Sequence, residues 1–178
     1  MTGLAKEYGA GLYELARDEH LLDELNGEIT EIAALMKAQP EFVRLLCSRA
    51  IEREKRLEVV DTTFRDRAHN YIVNFMKLLV EKERFACFED AAKWFHQRYN
   101  DEFGIVEAHV TSAVALSDND KVALRQKLEQ MSGKKVTLVC HVDASLIGGV
   151  RVEMDGKRYD NTIQNKLGRL RQSMVRGL

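Results

Sequence analysis

Apolar side chains recur every three to four positions through residues 4–99, which is the spacing of amphipathic helices. Pro40 suits the first turn of a short third helix, because its missing N–H would have no helical partner there. In the fourth helix, predicted over residues 51–61, Glu52 and Arg56 have the i,i+4 spacing of an ion pair. Six helices with short connections predict an all-α bundle. The apolar stripes comprise Leu4, Tyr8, Leu12 and Leu15; Leu22, Leu25, Ile29, Ile32 and Met36; Phe42, Leu45 and Leu46; Ala68, Tyr71, Ile72, Phe75, Leu78 and Leu79; and Phe85, Phe88, Ala92, Phe95 and Tyr99.

The pattern changes to strict alternation after residue 105. Val106, Ala108 and Val110 alternate with polar residues, which predicts a half-buried strand. Ser117 precedes acidic residues in the manner of a capping box, so a helix should begin there and end at Gly133.

Two more strands and a final helix complete the second half. Residues 136–142 and 147–154 predict strands, and Asp155-Gly156 signals a hairpin leading to a short extra strand around Arg158. Gly148-Gly149 inside the third strand favours a bulge or a close backbone approach over an anion-binding nest. Asp160 should cap a final helix carrying Ile163, Leu167, Leu170 and Met174.

Glycine and charge both divide the chain near Gly104. No glycine lies between Glu28 and Phe103, whereas seven of the eleven fall from Gly104 onward. Residues 1–104 hold 15 basic and 20 acidic side chains, net −5, and residues 105–178 hold 12 and 8, net +4. We therefore expect a mixed fold: a six-helix bundle over 1–104, then a small β-α-β-β-α domain of the α+β class over 105–178.

Composition indicates a reduced, cytoplasmic protein. Hydrophobic residues make up 45% and charged residues 31% of the 178 positions, which is typical of a soluble globular chain. Cys47, Cys87 and Cys140 are too widely spaced for a disulfide framework or a zinc motif. The sequence also predicts no transmembrane segment and no signal peptide.

No motif predicts catalysis, a metal site or a cofactor site. The five histidines lack a second ligand at i+3 or i+4, and neither glycine-rich phosphate-binding pattern occurs. Cys140 and His141 are neighbours, but on a strand they point to opposite faces and cannot act as nucleophile and base. The sequence therefore predicts a protein that is not an enzyme, with no cofactor and no small-molecule substrate.

Two features are unusual for an inert bundle. Gly9 and Gly11 lie inside the first helix, where each costs about 1 kcal/mol relative to alanine. They allow close packing within the bundle or a groove for a partner helix, and the sequence favours neither. Residues 157–178 carry six basic and one acidic side chain, which favours a solvated basic face over a surface for nucleic acid or for an acidic protein.

Four segments resemble the delta-subunit family of bacterial ATP synthases, which is related to the mitochondrial oligomycin-sensitivity-conferring protein. Residues 8–13 and 74–82 resemble the family's YAxALF opening and its NFLxLLxE helix, and residues 110–117 resemble its entry into the second domain. Residues 142–150 and 159–163 resemble VDPxLIGG and YDGSV, with departures at Ala144 and Asn161. The segments read YGAGLY, NFMKLLVEK, VTSA with LS, VDASLIGGV and YDNTI.

This resemblance implies a non-catalytic stator subunit of a proton-translocating ATP synthase. In the family, a groove between the first and fifth helices holds the N-terminal helix of an alpha subunit, and the second domain meets the C-terminal ends of the b subunits. Such a protein is a monomer within its complex, peripheral on the cytoplasmic face of the bacterial cell membrane, and binds no nucleic acid. The implied groove residues are Tyr8, Gly11, Leu12, Asn74, Phe75, Leu78 and Leu79; the implied structural markers are Asp143, Leu146, Gly148, Gly149 and Asp160.

An alternative function of another class is a nucleic-acid-binding factor that uses the compact α+β domain and its basic last helix. That hypothesis predicts binding that weakens steeply with salt.

Overall fold

The computed structural model describes residues 3–165 and residue 167. The chain divides into two compact units, Met1–Tyr99 and Asn100–Leu178. An α-rich N-terminal part is followed by a small part that combines helix and sheet, which confirms the predicted fold class at that level. The finer boundary at residue 104 stays a prediction.

The α-rich part is built from amphipathic helices joined by short turns. The helices, with a 3-10 turn at Phe85–Cys87 before the last of them, are α1 (Gly3–Asp18), α2 (Leu22–Ala38), α3 (Pro40–Cys47), α4 (Arg53–Phe64), α5 (Asn70–Glu81) and α6 (Phe88–Phe103). Pro40 occupies the first turn of α3, as predicted.

These helices share one apolar core. Its largest fully buried side chains come from α2 to α6 and comprise Leu25, Ile29, Leu46, Val60, Ile72, Met76, Leu79, Val80, Phe88 and Phe95. Burying an aliphatic or aromatic side chain of this size contributes about 1.5–3 kcal/mol. Because α1 adds Leu12, Tyr13 and Ala16, every helix from α1 to α6 contributes to the same core.

The predicted pair between Glu52 and Arg56 is wrong. Arg56 is only 4% exposed, and its Nη1 donates to the backbone oxygen of Leu46 at 3.1 Å. Glu52 pairs instead with Lys55, with 3.0 Å between the charged atoms. Helix α4 also starts two residues later than predicted, at Arg53, which leaves Glu52 as its N-cap.

The second unit contains a mixed sheet covered by one helix. Its elements are β1 (Ile105–Ser112), α7 (Asp118–Ser132), β2 (Lys135–Val142), β3 (Val150–Met154) and β4 (Lys157–Asp160), in the sheet order β2-β1-β3-β4. Strands β1 and β2 are parallel, and the other two pairs are antiparallel. One face of β1 packs with Leu128 of α7 in a small apolar core.

Local capping and turn signals are confirmed in this unit. The Ser117 hydroxyl accepts a hydrogen bond from the backbone N–H of Asp120 at the start of α7. Gly133 ends the helix in the left-handed conformation, with φ of 68°. Asp155 and Gly156 both have positive φ and connect β3 to β4 as a two-residue hairpin.

The glycine pair lies just before β3, so its predicted place inside the strand is wrong. Gly149 has φ of +86°, and a Cβ there would lie 2.5 Å from the backbone oxygen of Asn161. A Cβ at Gly148 would lie 2.8 Å from Cδ1 of Ile163. The close approach proposed for this pair is therefore present, between the segment that precedes β3 and the segment that follows β4.

Hydrogen bonds also join the segment before β3 to the segment after β4. The backbone N–H of Ile163 donates to the carbonyl of Gly148 at 3.0 Å, and that of Asn161 donates to Val150 at 3.0 Å. One carboxylate oxygen of Asp160 accepts from the Thr162 hydroxyl and the Thr162 backbone N–H, and the other accepts from Arg151. These bonds, led by the one from the Thr162 hydroxyl, lower the pKa of Asp160.

The two remaining structural markers, Asp143 and Leu146, lie in the loop after β2. Asp143 accepts a hydrogen bond from the backbone N–H of Ser145 at 2.9 Å, and Leu146 is buried.

Of the predicted final helix, residues 163–165 are helical. Its predicted cap, Asp160, is wrong: Asp160 is the last residue of β4, and it is the Thr162 hydroxyl that accepts a hydrogen bond from the backbone N–H of Asn165. Leu170 and Met174 lie outside the described residues.

Substitution of Gly149 by alanine should destabilise the second unit much more than Gly156→Ala. Both glycines have positive φ, but a Cβ at Gly156 meets nothing within 4 Å. We expect Gly156→Ala to cost about 1 kcal/mol from backbone strain. Gly149→Ala should cost about 3 kcal/mol, because the clash with Asn161 adds to the strain.

Hydrogen exchange of the β3 and β4 amides in the full-length protein measures the two opening free energies. Equal effects of the two substitutions would contradict the close-approach role of Gly149.

Candidate helix-binding groove

Helix α1 has two different apolar faces. Ala5, Gly9, Leu12 and Ala16 are buried toward the core. On another side of the same helix, Leu15 remains 39% exposed. The single apolar stripe predicted for α1 therefore has two environments: Leu12 lies in the core, and Leu15 lies at the surface.

The two glycines of α1 do different things. A Cβ at Gly9 would lie 2.9 Å from the backbone oxygen of Ala91 and 3.1 Å from Cε3 of Trp94, so α1 and α6 pack closely there. A Cβ at Gly11 would meet nothing within 4 Å. Close packing within the helical part therefore explains Gly9, whereas Gly11 leaves open space at the surface.

Helix α5 likewise has one buried apolar side and one side that reaches the surface. Ile72, Met76 and Leu79 are fully buried. Leu78 is 39% exposed, and Phe75, although only 6% exposed, still reaches the surface depression beside α1. The ring of Phe75 lies 6.1 Å from that of Phe88, which anchors it in the core.

The start of α5 is held by His69. Its Nδ1 accepts a hydrogen bond from the backbone N–H of Tyr71 at 3.2 Å, which caps the helix. Its own backbone N–H donates to the Glu28 carboxylate of α2 at 2.6 Å. The cap fixes where α5 begins and therefore where Tyr71 lies.

Helices α1 and α5 together line a groove of about 360 Å³. Most of its lining is apolar, Asn74 adds an amide, and Glu7 is its one charged lining residue among the described part of the chain. The lining residues are Glu7, Tyr8, Gly11, Leu12, Leu15, Tyr71, Asn74, Phe75 and Leu78.

Six of the seven residues implied by the family resemblance line this groove. The seventh, Leu79, is fully buried in the core and does not line it. Leu15 and Tyr71 also line the groove, although the sequence pattern predicts only that they belong to apolar helix stripes. Their signal was helical spacing, because Leu15 lies seven residues after Tyr8 and Tyr71 lies three before Asn74.

The groove is suited to receiving an apolar helix rather than to performing chemistry. Large apolar side chains with a small residue between them provide anchors and allow close backbone approach. Within residues 3–165 and 167, no three His, Cys, Asp or Glu side chains are grouped to hold a metal ion. Over the same residues, no helix combines the length and apolar character needed to cross a bilayer.

Comparison with known proteins extends over nearly the whole chain. The family profile "ATP synthase delta (OSCP) subunit" matches residues 4–174. An ATP synthase subunit delta from an Exiguobacterium species is 33% identical over 174 residues, covering 98% of both chains. One from Desulfitobacterium hafniense is 31% identical over 171 residues, covering 96% of both chains.

A solved structure shares the fold. A chain in the cryo-EM structure of the Toxoplasma gondii mitochondrial ATP synthase hexamer superposes with a TM-score of 0.74, covering 98% of both chains at 16% identity. At that identity the likeness concerns the fold alone.

The α-rich unit with its open helix-lined groove, followed by a small α+β unit, defines a structural subunit of a larger assembly. The chain belongs to the ATP synthase delta (OSCP) subunit family. It is accordingly a component of the peripheral stalk that functions in ATP synthesis and ion transport, and it is structural rather than catalytic.

Opposite stability effects are expected for alanine at the two glycines of α1. Gly11→Ala should stabilise the protein by about 1 kcal/mol, because alanine favours helix and its methyl group meets open space. Gly9→Ala should destabilise it by about 1–2 kcal/mol, because its methyl group would collide with the backbone of α6.

Urea unfolding followed by Trp94 fluorescence reports on this unit. If both substitutions raise, or both lower, the free energy of unfolding, α1 does not have one packed face and one open face.

Proposed function

We propose that this protein links the top of the catalytic head of a rotary ATP synthase to its b-subunit stalk. The first unit holds the N-terminal helix of an alpha subunit, and the second unit holds the C-terminal ends of the b subunits. The head is thereby kept from turning with the rotor, so that torque drives ATP synthesis. The observation that carries this proposal is the apolar groove between α1 and α5.

Three properties of the groove support a helical occupant. Leu15 and Leu78 lie on different helices and are each 39% exposed, so a helix laid between them would remove apolar surface from both. Gly11 leaves space for the partner's backbone between these anchors. Asn74 offers an amide that can orient the helix by a hydrogen bond.

The shared core of the first unit supports a contact that transmits mechanical force. The core shared by α1 to α6 favours treating residues 1–104 as one six-helix bundle. Both walls of the groove also contribute buried residues to that core, Leu12 from α1 and Ile72 from α5. Close-packed interiors transmit strain with little deformation, so a pull on the bound helix would reach the whole unit.

Exposed apolar side chains support a partner for the second unit. Val114 is 72%, Val142 59% and Ile147 71% exposed. They follow or end the two parallel strands β1 and β2, whose register joins Ser112 to Val142. The three side chains therefore belong to one edge of the sheet, where the b subunits are proposed to bind.

The proposed location is the cytoplasmic face of a bacterial cell membrane, with the protein as a peripheral monomer within the complex. The nucleic-acid alternative is not favoured by the comparisons. Most of the basic segment on which it depends lies beyond the described residues.

Binding of the alpha helix should depend on Leu78. Calorimetric titration of the full chain with a peptide of the alpha N-terminus should give saturable one-to-one binding. Leu78→Asp should weaken it at least about 30-fold, because a carboxylate would be desolvated against apolar groups. Val122→Asp is the matched control, since Val122 is 44% exposed but lies on α7 in the other unit.

Binding of the b subunits should depend on Ile147 instead. A soluble C-terminal fragment of the b subunit should bind the wild type and lose at least about tenfold in affinity with Ile147→Asp. Leu78→Asp should leave this binding unchanged, and Ile147→Asp should leave the alpha peptide binding unchanged.

An RNA oligonucleotide completes the comparison. Salt-sensitive binding to RNA, together with no binding of the alpha peptide, would overturn the stator proposal. Loss of alpha peptide binding with Val122→Asp as well would reject the groove as its site.

A further inference from the structure

Two cysteines that are 40 residues apart in the sequence come together in the first unit. Cys47 is the last residue of α3, and Cys87 ends the 3-10 turn that precedes α6. Helix α3 packs directly against this turn. The backbone N–H of Ala86, the residue before Cys87, donates a hydrogen bond to the Cys47 sulfur.

A buried guanidinium lies beside this pair. Arg56 is only 4% exposed, and its Nη1 bonds the carbonyl of Leu46, the residue before Cys47. Its Nε has no hydrogen-bond partner within the described part of the chain. A buried N–H without a partner costs about 1–3 kcal/mol.

Opposing influences act on the Cys47 thiol. Partial burial of its sulfur raises the pKa of Cys47, whereas Arg56 and the Ala86 N–H lower it, and the nearby Cys87 raises it. Burial has the largest effect, so the pKa of Cys47 is raised overall, and Arg56 limits that rise by stabilising the thiolate. Thiolate is the nucleophilic form in exchange with disulfides.

We propose that Cys47 and Cys87 are a thiol-modification site that is oxidised by low-molecular-weight disulfides. The Cys47 thiolate attacks one sulfur of the small disulfide RSSR, forming a mixed disulfide and releasing RS⁻. The Cys87 thiolate then attacks the Cys47 sulfur and displaces the second RS⁻. Two protein thiols are oxidised and one RSSR is reduced to two RSH, with the protons passing to the released thiolates.

The order of attack follows from exposure. Cys47 is exposed and can meet a small disulfide, whereas Cys87 is half-buried and is better placed to resolve the mixed disulfide. In a reducing cytoplasm the pair stays as thiols, and oxidation occurs when the ratio of disulfide to thiol rises.

Oxidation would restrain α5, the helix that forms one wall of the groove. The segment between Cys47 and Cys87 contains all of α4 and α5. Closing a loop of this length reduces the entropy of the unfolded chain, so the melting temperature of the first unit should rise by about 10 °C.

The test treats the full chain with glutathione disulfide and measures intact mass and peptide linkage. Wild type should lose about 2 Da, for two hydrogens, with Cys47 joined to Cys87 and Cys140 left free. Cys87→Ser should accumulate a mixed disulfide at Cys47, and Cys47→Ser should form no internal disulfide. Cys140→Ser, at an exposed cysteine of the other unit, should behave as wild type.

Arg56→Gln tests the role of the positive charge beside Cys47. It should slow the formation of the mixed disulfide at Cys47 several-fold while leaving glutathionylation of Cys140 unchanged.

The proposal is overturned if wild type retains a stable mixed disulfide at Cys47. Links through Cys140 or between two chains would overturn it as well. Peptide mapping of the wild type shows whether Cys47 is joined to Cys87 even if a serine variant fails to fold. The outcome is independent of alpha peptide binding.

Discussion

The close packing of α1 against α6 is the constraint on which the first unit depends. Gly9 lets the backbone of α1 approach Ala91 and Trp94 more closely than any side chain would permit. This contact orients α1 so that Leu12 reaches the core while Tyr8, Gly11 and Leu15 line the groove. The groove therefore exists because one face of α1 is already occupied, and a larger residue at Gly9 would disturb both faces.

The second unit uses glycine for a different physical reason. Gly149 combines a positive φ with a backbone contact to Asn161, and neither condition admits a side chain without strain. Asp160 fixes the other side of the junction through Thr162 and Arg151. The marker residues of the family thus hold a loop onto the end of the sheet, and they contribute shape rather than chemistry.

A stalk subunit needs fixed surfaces more than a reactive site, and the structure is consistent with this. The groove has apolar walls that belong to helices packed in the core, so partner binding and core packing involve the same elements. The thiol pair is the exception, because it lies at a contact between α3 and the turn before α6 and could adjust the stability of that contact.

Most of the helices and strands follow from local sequence patterns. Helical periodicity located α1, α2, α3, α5 and α6, and capping residues located α7 between Ser117 and Gly133. Alternation located β1, and a two-residue turn signal located the β3–β4 hairpin. These features depend on near neighbours in the chain, so local spacing is sufficient to predict them.

Which apolar positions remain exposed depends on packing between elements that are distant in the sequence. Leu78 and Leu79 are adjacent and equally apolar, but one lines the groove and the other is buried, because the other helices of the shared core cover one side of α5. The partner of Arg56 and the meeting of Cys47 with Cys87 likewise depend on residues distant in the chain. Periodicity identifies an apolar face, but only packing between elements determines how much of that face is covered.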